Sequence, residues 1–163
     1  MQSNYVLRAR EKYDSYDPSC WTKAYFDDVS GGFNVYHTEH KFSQTEGGGD
    51  AEKIVGKMLA KHNGKQVEFL PEGKDKSPDC RFDGQTWDVK FINHANEETM
   101  RSCIKDARKA NNVIFYWNLE TNKLEELKNA VTRSIGYFKS KNILEKMPHV
   151  YYINHIGLLK QIY

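Results

Sequence analysis

Three stretches of the chain place apolar residues at the three- and four-residue spacing of an amphipathic helix. The first runs from about Ala51 to Lys61, with Asp50 at the expected N-cap position and Asn63-Gly64 as its end. The second covers about Glu97 to Ala110. A third helix is indicated by Leu124, Leu127, Val131, Ile135 and Phe138.

Short runs around these helices have the alternation or the continuous apolar character of strands. The pair Asp83-Gly84 is the strongest hairpin signal, and it joins a strand at Cys80–Phe82 to a returning strand at Thr86–Ile92. The run Val113 to Trp117 is typical of a strand buried on both faces. Further strands are predicted over Phe33–Tyr36, Gln66–Leu70 and Val150–Ile153.

The order of these elements predicts an α/β (α+β) fold with a mixed central β-sheet flanked by helices. Residues 1–30 are polar, rich in Tyr and weakly periodic, so we expect an irregular or partly helical lead-in there. We expect residues 31–163 to form a single domain. The length of 163 residues agrees with one domain that can bury a core of its own.

Composition and charge exclude several classes of protein. The formal net charge of +2 gives no global basic field, so any binding of nucleic acid depends on a local patch. Cys20, Cys80 and Cys103 share no CxxC spacing, which argues against a disulfide framework or a zinc knuckle. No apolar run approaches membrane-spanning length, so we expect no membrane insertion. Residues 1–10 lack a signal peptide's apolar segment, which leaves a cytoplasmic protein or a domain of a longer secreted chain.

The hairpin carries two carboxylates and a lysine at a spacing that suits phosphodiester hydrolysis. Asp88 and Lys90 point to the same face of one strand, and pairing across the Asp83-Gly84 turn can bring Asp79 near them. Carboxylate oxygens bind Mg²⁺, which activates a water and neutralises charge on the phosphate. The lysine can position that water or stabilise the developing charge. The competing interpretation is a set of solvated charges on an edge hairpin, with Lys90 preventing aggregation.

The segments Pro78-Asp79 and Asp88-Val89-Lys90 resemble the signature of the PD-(D/E)XK nuclease superfamily. The order of helix, strand, hairpin, helix and strand also fits that superfamily. Its members commonly add an acidic residue from the helix before the hairpin, and Glu52 is the candidate here. The resemblance therefore implies a PD-(D/E)XK-like nuclease domain. It also implies Asp79, Asp88 and Glu52 as ligands of Mg²⁺ or another divalent metal, with Lys90 as a catalytic residue.

A narrower resemblance covers about residues 31–117. The segments that carry it are Gly31–Phe33, His37–His40, Pro78-Asp79, Asp83-Gly84, Trp87–Lys90 and Asn112–Ile114. In this order they are similar to the C-terminal toxin domains of contact-dependent growth inhibition systems, specifically the CdiA C-terminal tRNase group. That resemblance implies cleavage of RNA, preferably tRNA, and a cognate immunity protein, and it allows a host translation factor as partner. It also implies secretion as the C-terminal part of a larger toxin that acts in the target-cell cytoplasm.

His37 and His40 form an HxxH pair just before the first helix. As general acid and base they would define a metal-independent RNase toxin of barnase/EndoU-like type, because histidines titrate near pH 7. Alternatively they hold a phosphate beside the carboxylates, bind a metal, or form a structural pair in a loop. A third class of function is a non-catalytic nucleic-acid or protein binding module, which the intact set of Asp79, Asp88 and Lys90 disfavours.

Arg101, Lys105 and Arg108 form a basic stripe on the second helix, opposite its apolar face. Because this helix closely follows the hairpin, we expect the stripe to bind nucleic-acid phosphates beside the site. A solvated helix face is the competing explanation.

Overall fold

The computed structural model of the chain describes residues 3–44, 47–75, 77–116, 123–143, 146–154 and 156–163. Within these ranges the chain forms one eight-stranded sheet and four α-helices, which confirms the predicted mixed sheet flanked by helices. The helices are α1 (Asn4–Ser15), α2 (Gly48–Asn63), α3 (Glu97–Asp106), which continues into a 3-10 turn at Ala107–Lys109, and α4 (Leu124–Lys141). The strands are β1 (Trp21–Phe26), β2 (Phe33–His37), β3 (Gln66–Phe69), β4 (Cys80–Phe82), β5 (Gln85–Phe91), β6 (Asn112–Tyr116), β7 (His149–Ile153) and β8 (Leu159–Gln161).

The strands lie in the sheet in the order of the chain. Three neighbouring pairs are parallel, namely β2–β3, β5–β6 and β6–β7, and the other four pairs are antiparallel. A helix lies between the two strands of each parallel pair along the chain, because parallel neighbours need a crossover connection. The hairpin β4–β5 therefore lies at the centre of the sheet, which excludes the interpretation of its charges as those of an edge hairpin.

Helices cover both faces of this sheet. Apolar side chains of α2 pack in one cluster with Ile114 of β6. Apolar side chains of α3 and α4 pack in a second cluster with Val113 and Phe115, which point to the opposite face because strand residues alternate. Tyr13 of α1 packs against Phe33 at the β2 end of the sheet. Within the described ranges, every helix is too short or too polar to cross a membrane.

The first thirty residues contain more regular structure than their weak periodicity indicates. Residues 4–15 form α1, and β1 pairs antiparallel with β2 as the edge strand of the same sheet. The side chains of β1 are half-buried or exposed, so the strand lacks the apolar alternation by which a sequence reveals strands. The three-residue edge strand β8 went unpredicted for the same reason.

The start of α2 differs from the prediction, and the difference matters for the site. The helix begins at Gly48, and Gly47 rather than Asp50 is its N-cap residue. Gly47 adopts a left-handed φ of 77°, and a Cβ there would lie 2.8 Å from the ring of Phe91. Glycine at this position therefore allows the first turn of α2 to approach the end of β5. The predicted strand end Trp117 lies outside the described residues.

Candidate active site

Asp79 and Asp88 lie side by side across the β4–β5 hairpin. The pairing of Cys80 with Trp87 places Asp79, directly before β4, opposite Asp88. The backbone N–H of Asp79 donates to the Asp88 carboxylate at 3.3 Å, and the N–H of Val89 donates to the Asp79 carboxylate at 2.7 Å. Asp88 is only 8% exposed. The backbone of the hairpin thus orients both carboxylates.

A cleft of about 510 Å³ opens beside these carboxylates. The end of β5 supplies part of its lining, including the half-buried Lys90 two residues beyond Asp88. Glu52 reaches the same cleft from the first turns of α2. The structure therefore brings together four of the residues selected from the sequence, namely Asp79, Asp88, Lys90 and Glu52.

Burial and repulsion between acidic groups define the electrostatics of the cleft. Burial, followed by the negative charges of Asp88 and Glu52, raises the pKa of Asp79 to about 7. The hydrogen bond from Val89 and the charge of Lys90 act in the opposite direction without cancelling this rise. A cation placed between the carboxylates would remove the repulsion.

The raised pKa of Asp79 predicts a pH dependence of stability. The folded-state pKa of Asp79 is about 7, above the ordinary value of 3.8, so the folded state binds more protons between these two values. The contribution of Asp79 to stability is therefore fully present below pH 3.8 and is lost as the pH rises through about 7. We expect Asp79→Asn to be more stable than the wild type at pH 7.5 by about 1–3 kcal/mol and to lose this advantage at pH 4. Urea unfolding at both pH values measures the difference, and an equal difference at both would contradict the electrostatic account.

Glu52 is only 2% exposed, and each of its two carboxylate oxygens has a hydrogen-bond partner. Nε2 of His40 lies 3.1 Å from one oxygen, and the backbone N–H of Ser43 donates to the other at 2.8 Å. The second ring nitrogen of His40, Nδ1, lies 2.7 Å from the carbonyl oxygen of Leu70. Both ring nitrogens thus face acceptors, and a fully ionised Glu52 would require a proton on each of them.

The surroundings of His40 favour this charged form. Burial alone lowers the pKa of His40, but the hydrogen bonds to Glu52 and Leu70 and the negative charges of Glu52 and Asp79 outweigh it. The net result is a pKa above the ordinary value of 6.5. Protonated His40 therefore forms a buried ion pair with Glu52 that immobilises the carboxylate of Glu52 beside the cleft.

The structure separates the two histidines of the HxxH pair. The ring of His37 packs edge-on against Trp21, with 4.9 Å between ring centroids, and its Nδ1 accepts a hydrogen bond from the N–H of Glu39. Neither His37 nor His40 is among the described residues that line the cleft of Asp88. His40 instead lines a small adjoining pocket with Asp79 and touches the cleft through Glu52. The two rings therefore do not converge on one acid–base centre.

The basic stripe lies away from the cleft as far as its side chains are described. The guanidinium of Arg101 stacks over the ring of Tyr137 in α4 at 4.4 Å and lies 3.5 Å from the carboxylate of Glu97. Lys105 is exposed and does not line the cleft. Arg108 falls in the 3-10 turn, and its side chain lies outside the described residues.

Two lysines that the sequence interpretation missed do line the cleft, namely Lys41 and Lys109. Lys109 lines the cleft together with Cys103 and Asp106. The three residues follow one another at three-residue intervals along α3 and its 3-10 turn, and so lie on one face. That spacing is a signal that could have identified Lys109. Lys41 directly follows His40 in an irregular loop, where no periodic signal exists.

The chemistry of the donors fits Mg²⁺. Among the described residues, no group of three or more His, Cys, Asp and Glu side chains is arranged to hold a metal ion. Mg²⁺ nevertheless commonly uses one or two protein carboxylates and completes its shell with water and phosphate. Asp79 and Asp88 provide two such carboxylates in one cleft, and their mutual repulsion is the electrostatic condition that a cation relieves.

The fold and the cleft together define a mixed α/β domain with a carboxylate–lysine centre at its middle hairpin. Among solved structures, a chain of the CdiA-CT/CdiI toxin and immunity complex from Burkholderia pseudomallei is similar to this one. The two are 18% identical with a TM-score of 0.51, over 74% of this chain and 88% of that chain. At this identity the likeness shows a shared fold. No family model matches the sequence, and no curated protein matches it.

Proposed function

We propose that this protein is a bacterial toxin nuclease that hydrolyses phosphodiester bonds of RNA, preferably tRNA, in a Mg²⁺-dependent reaction. The observation that carries the proposal is the convergence of Asp79, Asp88, Glu52 and Lys90 on one cleft. The likeness to a chain of a toxin and immunity complex supports the toxin role and a cognate immunity protein as partner. The preference for RNA and tRNA rests on the resemblance of residues 31–117 to contact-dependent inhibition toxins.

Each of these four residues has a role in the proposed reaction. Asp79 and Asp88 would hold Mg²⁺, which supplies an activated water and neutralises charge on the phosphate. The N–H of Val89 donates to the carboxylate of Asp79 and holds it in place, so that it would be ready to bind the ion. Lys90 lies on the same face of β5 as Asp88, where its ammonium would position the attacking water or stabilise the charge that develops on the phosphate. Glu52, immobilised by His40 and Ser43, adds a fixed negative charge to the same site.

Delivery and partners follow from the same proposal. The domain would be secreted as the C-terminal part of a larger toxin and would act in the cytoplasm of the target cell. An immunity protein in the producing cell would prevent self-intoxication, and a host translation factor is the candidate for an activating partner. Co-purification of the domain with the product of a neighbouring open reading frame tests the immunity partner directly.

The experiment that tests the activity is incubation of the purified domain with bulk bacterial tRNA, ribosomal RNA, single-stranded DNA and duplex DNA in Mg²⁺. We expect cleavage of tRNA in preference to the other three. Preferential cleavage of either DNA would overturn the RNA assignment while keeping the nuclease. Binding of RNA without cleavage in Mg²⁺, Mn²⁺ and Co²⁺ would favour the non-catalytic module instead.

The metal-independent alternative makes an opposite prediction for His37. Because the His37 ring packs against Trp21 outside the cleft, we expect His37→Gln to cleave tRNA within about threefold of the wild type. An RNase that used His37 as acid or base would lose at least about 100-fold and would leave 2′,3′-cyclic phosphate ends. Single-turnover rates and end-group analysis of the products distinguish the two mechanisms.

A further inference from the structure

Two lysines stand on two walls of the cleft, on either side of the central strand β5. Lys41 lies in the loop after β2, on the side of β3 and β4, where its ammonium is 3.9 Å from the carboxylate of Glu72. Its side chain is 79% exposed, and such a long, exposed contact holds a lysine only weakly. Lys109 lies on the other side, in the 3-10 turn after α3, which packs with β6. No hydrogen bond or ion pair joins the ammonium of Lys109 to another described residue.

Lys41 and Lys109 lie nearer the solvent than the buried carboxylates of the cleft. Among the described residues, five carboxylates line the cleft against three lysines, so this lining as a whole does not attract a polyanion. The buried acidic groups Asp88 and Glu52 belong to the proposed metal site, whereas Lys41 and Lys109 are exposed at the walls beside the exposed carboxylates Glu72 and Asp106. A nucleic-acid strand that delivers one phosphate to the buried carboxylates must pass its neighbouring phosphates along those walls. Lysines at the walls are therefore placed to offset the repulsion that the strand meets on entry.

We propose that Lys41 and Lys109 bind the phosphates on the two sides of the cleaved bond, so that the strand crosses β5 between the loop after β2 and the turn after α3. This inference rests on the proposed nuclease function and specifies its substrate class. A cleft of about 510 Å³ has the size of a small-ligand pocket, a volume that about one or two unpaired nucleotides fill. The substrate is then an unpaired segment, such as a loop or an end of a folded RNA.

Lys105 provides a matched control for Lys109. Both are exposed lysines four residues apart on the same helical segment, but only Lys109 lines the cleft. Substitution of either residue by Ala removes one positive charge and the same side-chain atoms. General electrostatic attraction predicts equal effects of the two substitutions, whereas a specific phosphate contact predicts an effect of Lys109→Ala alone.

The experiment measures binding separately from cleavage. Fluorescence anisotropy with labelled bulk tRNA gives the Kd in the Asp88→Asn background, to which Lys41→Ala, Lys109→Ala or Lys105→Ala is added. We expect Lys41→Ala and Lys109→Ala each to weaken binding about tenfold and to reduce the slope of log Kd against log salt by about one. Lys105→Ala should stay within about twofold of the background. In the otherwise wild-type protein, the same two lysine substitutions should raise KM more than they lower kcat.

Four outcomes decide the inference. Equal effects of Lys109→Ala and Lys105→Ala would overturn it, as would a loss of kcat with unchanged binding. An unstructured oligoribonucleotide and its duplex with the complementary strand form the second comparison. If the duplex binds as tightly with the same dependence on both lysines, the assignment of an unpaired substrate is wrong. If the wild type cleaves no RNA but binds it through both lysines, the proposed nuclease function fails and the phosphate contacts stand.

Discussion

Asp88→Asn should reduce the rate of tRNA cleavage by at least about 1,000-fold, which corresponds to a loss of about 4 kcal/mol of transition-state stabilisation. The reason is that Asp88 is one of only two carboxylates that the hairpin presents to the proposed Mg²⁺. Asn has almost the same shape and keeps an oxygen that can accept the hydrogen bond from the N–H of Asp79. The loss should therefore appear in the chemical step, without a loss of the folded state. Single-turnover rates in Mg²⁺ measure the chemical step. Circular dichroism and thermal unfolding measure whether the folded state is retained.

Asp83→Asn is the matched control for this substitution. Asp83 lies in the turn of the same hairpin, its side chain is 53% exposed, and it pairs with Lys65 at 2.6 Å. Its φ of 52° is left-handed, a conformation that Asn tolerates well. We expect this variant to cleave within about twofold of the wild type. Retention of more than a tenth of the activity in Asp88→Asn, or an equal loss in Asp83→Asn, would contradict the assignment of Asp88.

His40→Ala should lower the free energy of unfolding by about 3–5 kcal/mol, because it leaves Glu52 as an unpaired charge in a buried position. The substitution also removes the edge-on contacts of the imidazole with Phe42 and Phe69, whose centroids lie at 4.7 and 5.2 Å. Urea unfolding at pH 6 provides the measurement. His37→Ala, the same change three residues earlier at a half-buried position, should cost less than about 1 kcal/mol.

The double variant His40→Ala/Glu52→Gln separates the ion pair from simple packing. Neutralising Glu52 removes the unpaired charge, so we expect the double variant to be more stable than His40→Ala alone. The same pair predicts a pH effect on the wild type. Because the folded-state pKa of His40 lies above 6.5, its contribution is fully present below pH 6.5 and is lost as the pH rises through the folded-state value. A double variant less stable than His40→Ala would show that packing, and not charge, makes His40 important.

Local chemistry explains which parts of the fold could be predicted from the sequence. The turn Asp83-Gly84 adopts φ values of 52° and 69°, and few other residue pairs tolerate this conformation, so the hairpin was evident from two residues. The register of that hairpin then follows, and with it the proximity of Asp79 and Asp88. The edge strand β1 could not be found in this way, because its stability comes from pairing with β2 and not from its own alternation.

The residues of the site also fall into those that the sequence predicts and those that it does not. Alternation along β5 placed Asp88 and Lys90 on one face, and this depends only on strand geometry. The contact of His40 with Glu52 depends on the path of the loop after β2, which no periodicity encodes. Arg101, Lys105 and Arg108 were selected because they form a basic stripe on a helix that closely follows the hairpin. In the structure the cleft borders the flank of the apolar face of α3, so Lys109 lines it and Arg101 packs on α4.

The most direct test of the carboxylate–lysine centre compares the wild type with Asp79→Asn/Asp88→Asn on bulk tRNA, each in Mg²⁺ and in excess EDTA, on a denaturing gel. We predict cleavage by the wild type in Mg²⁺, no cleavage in EDTA, restoration when Mg²⁺ is returned in excess, and no cleavage by the double variant in any condition. Cleavage by the wild type that continues in EDTA, or cleavage by the double variant at the wild-type rate, would contradict a metal-dependent centre at Asp79 and Asp88.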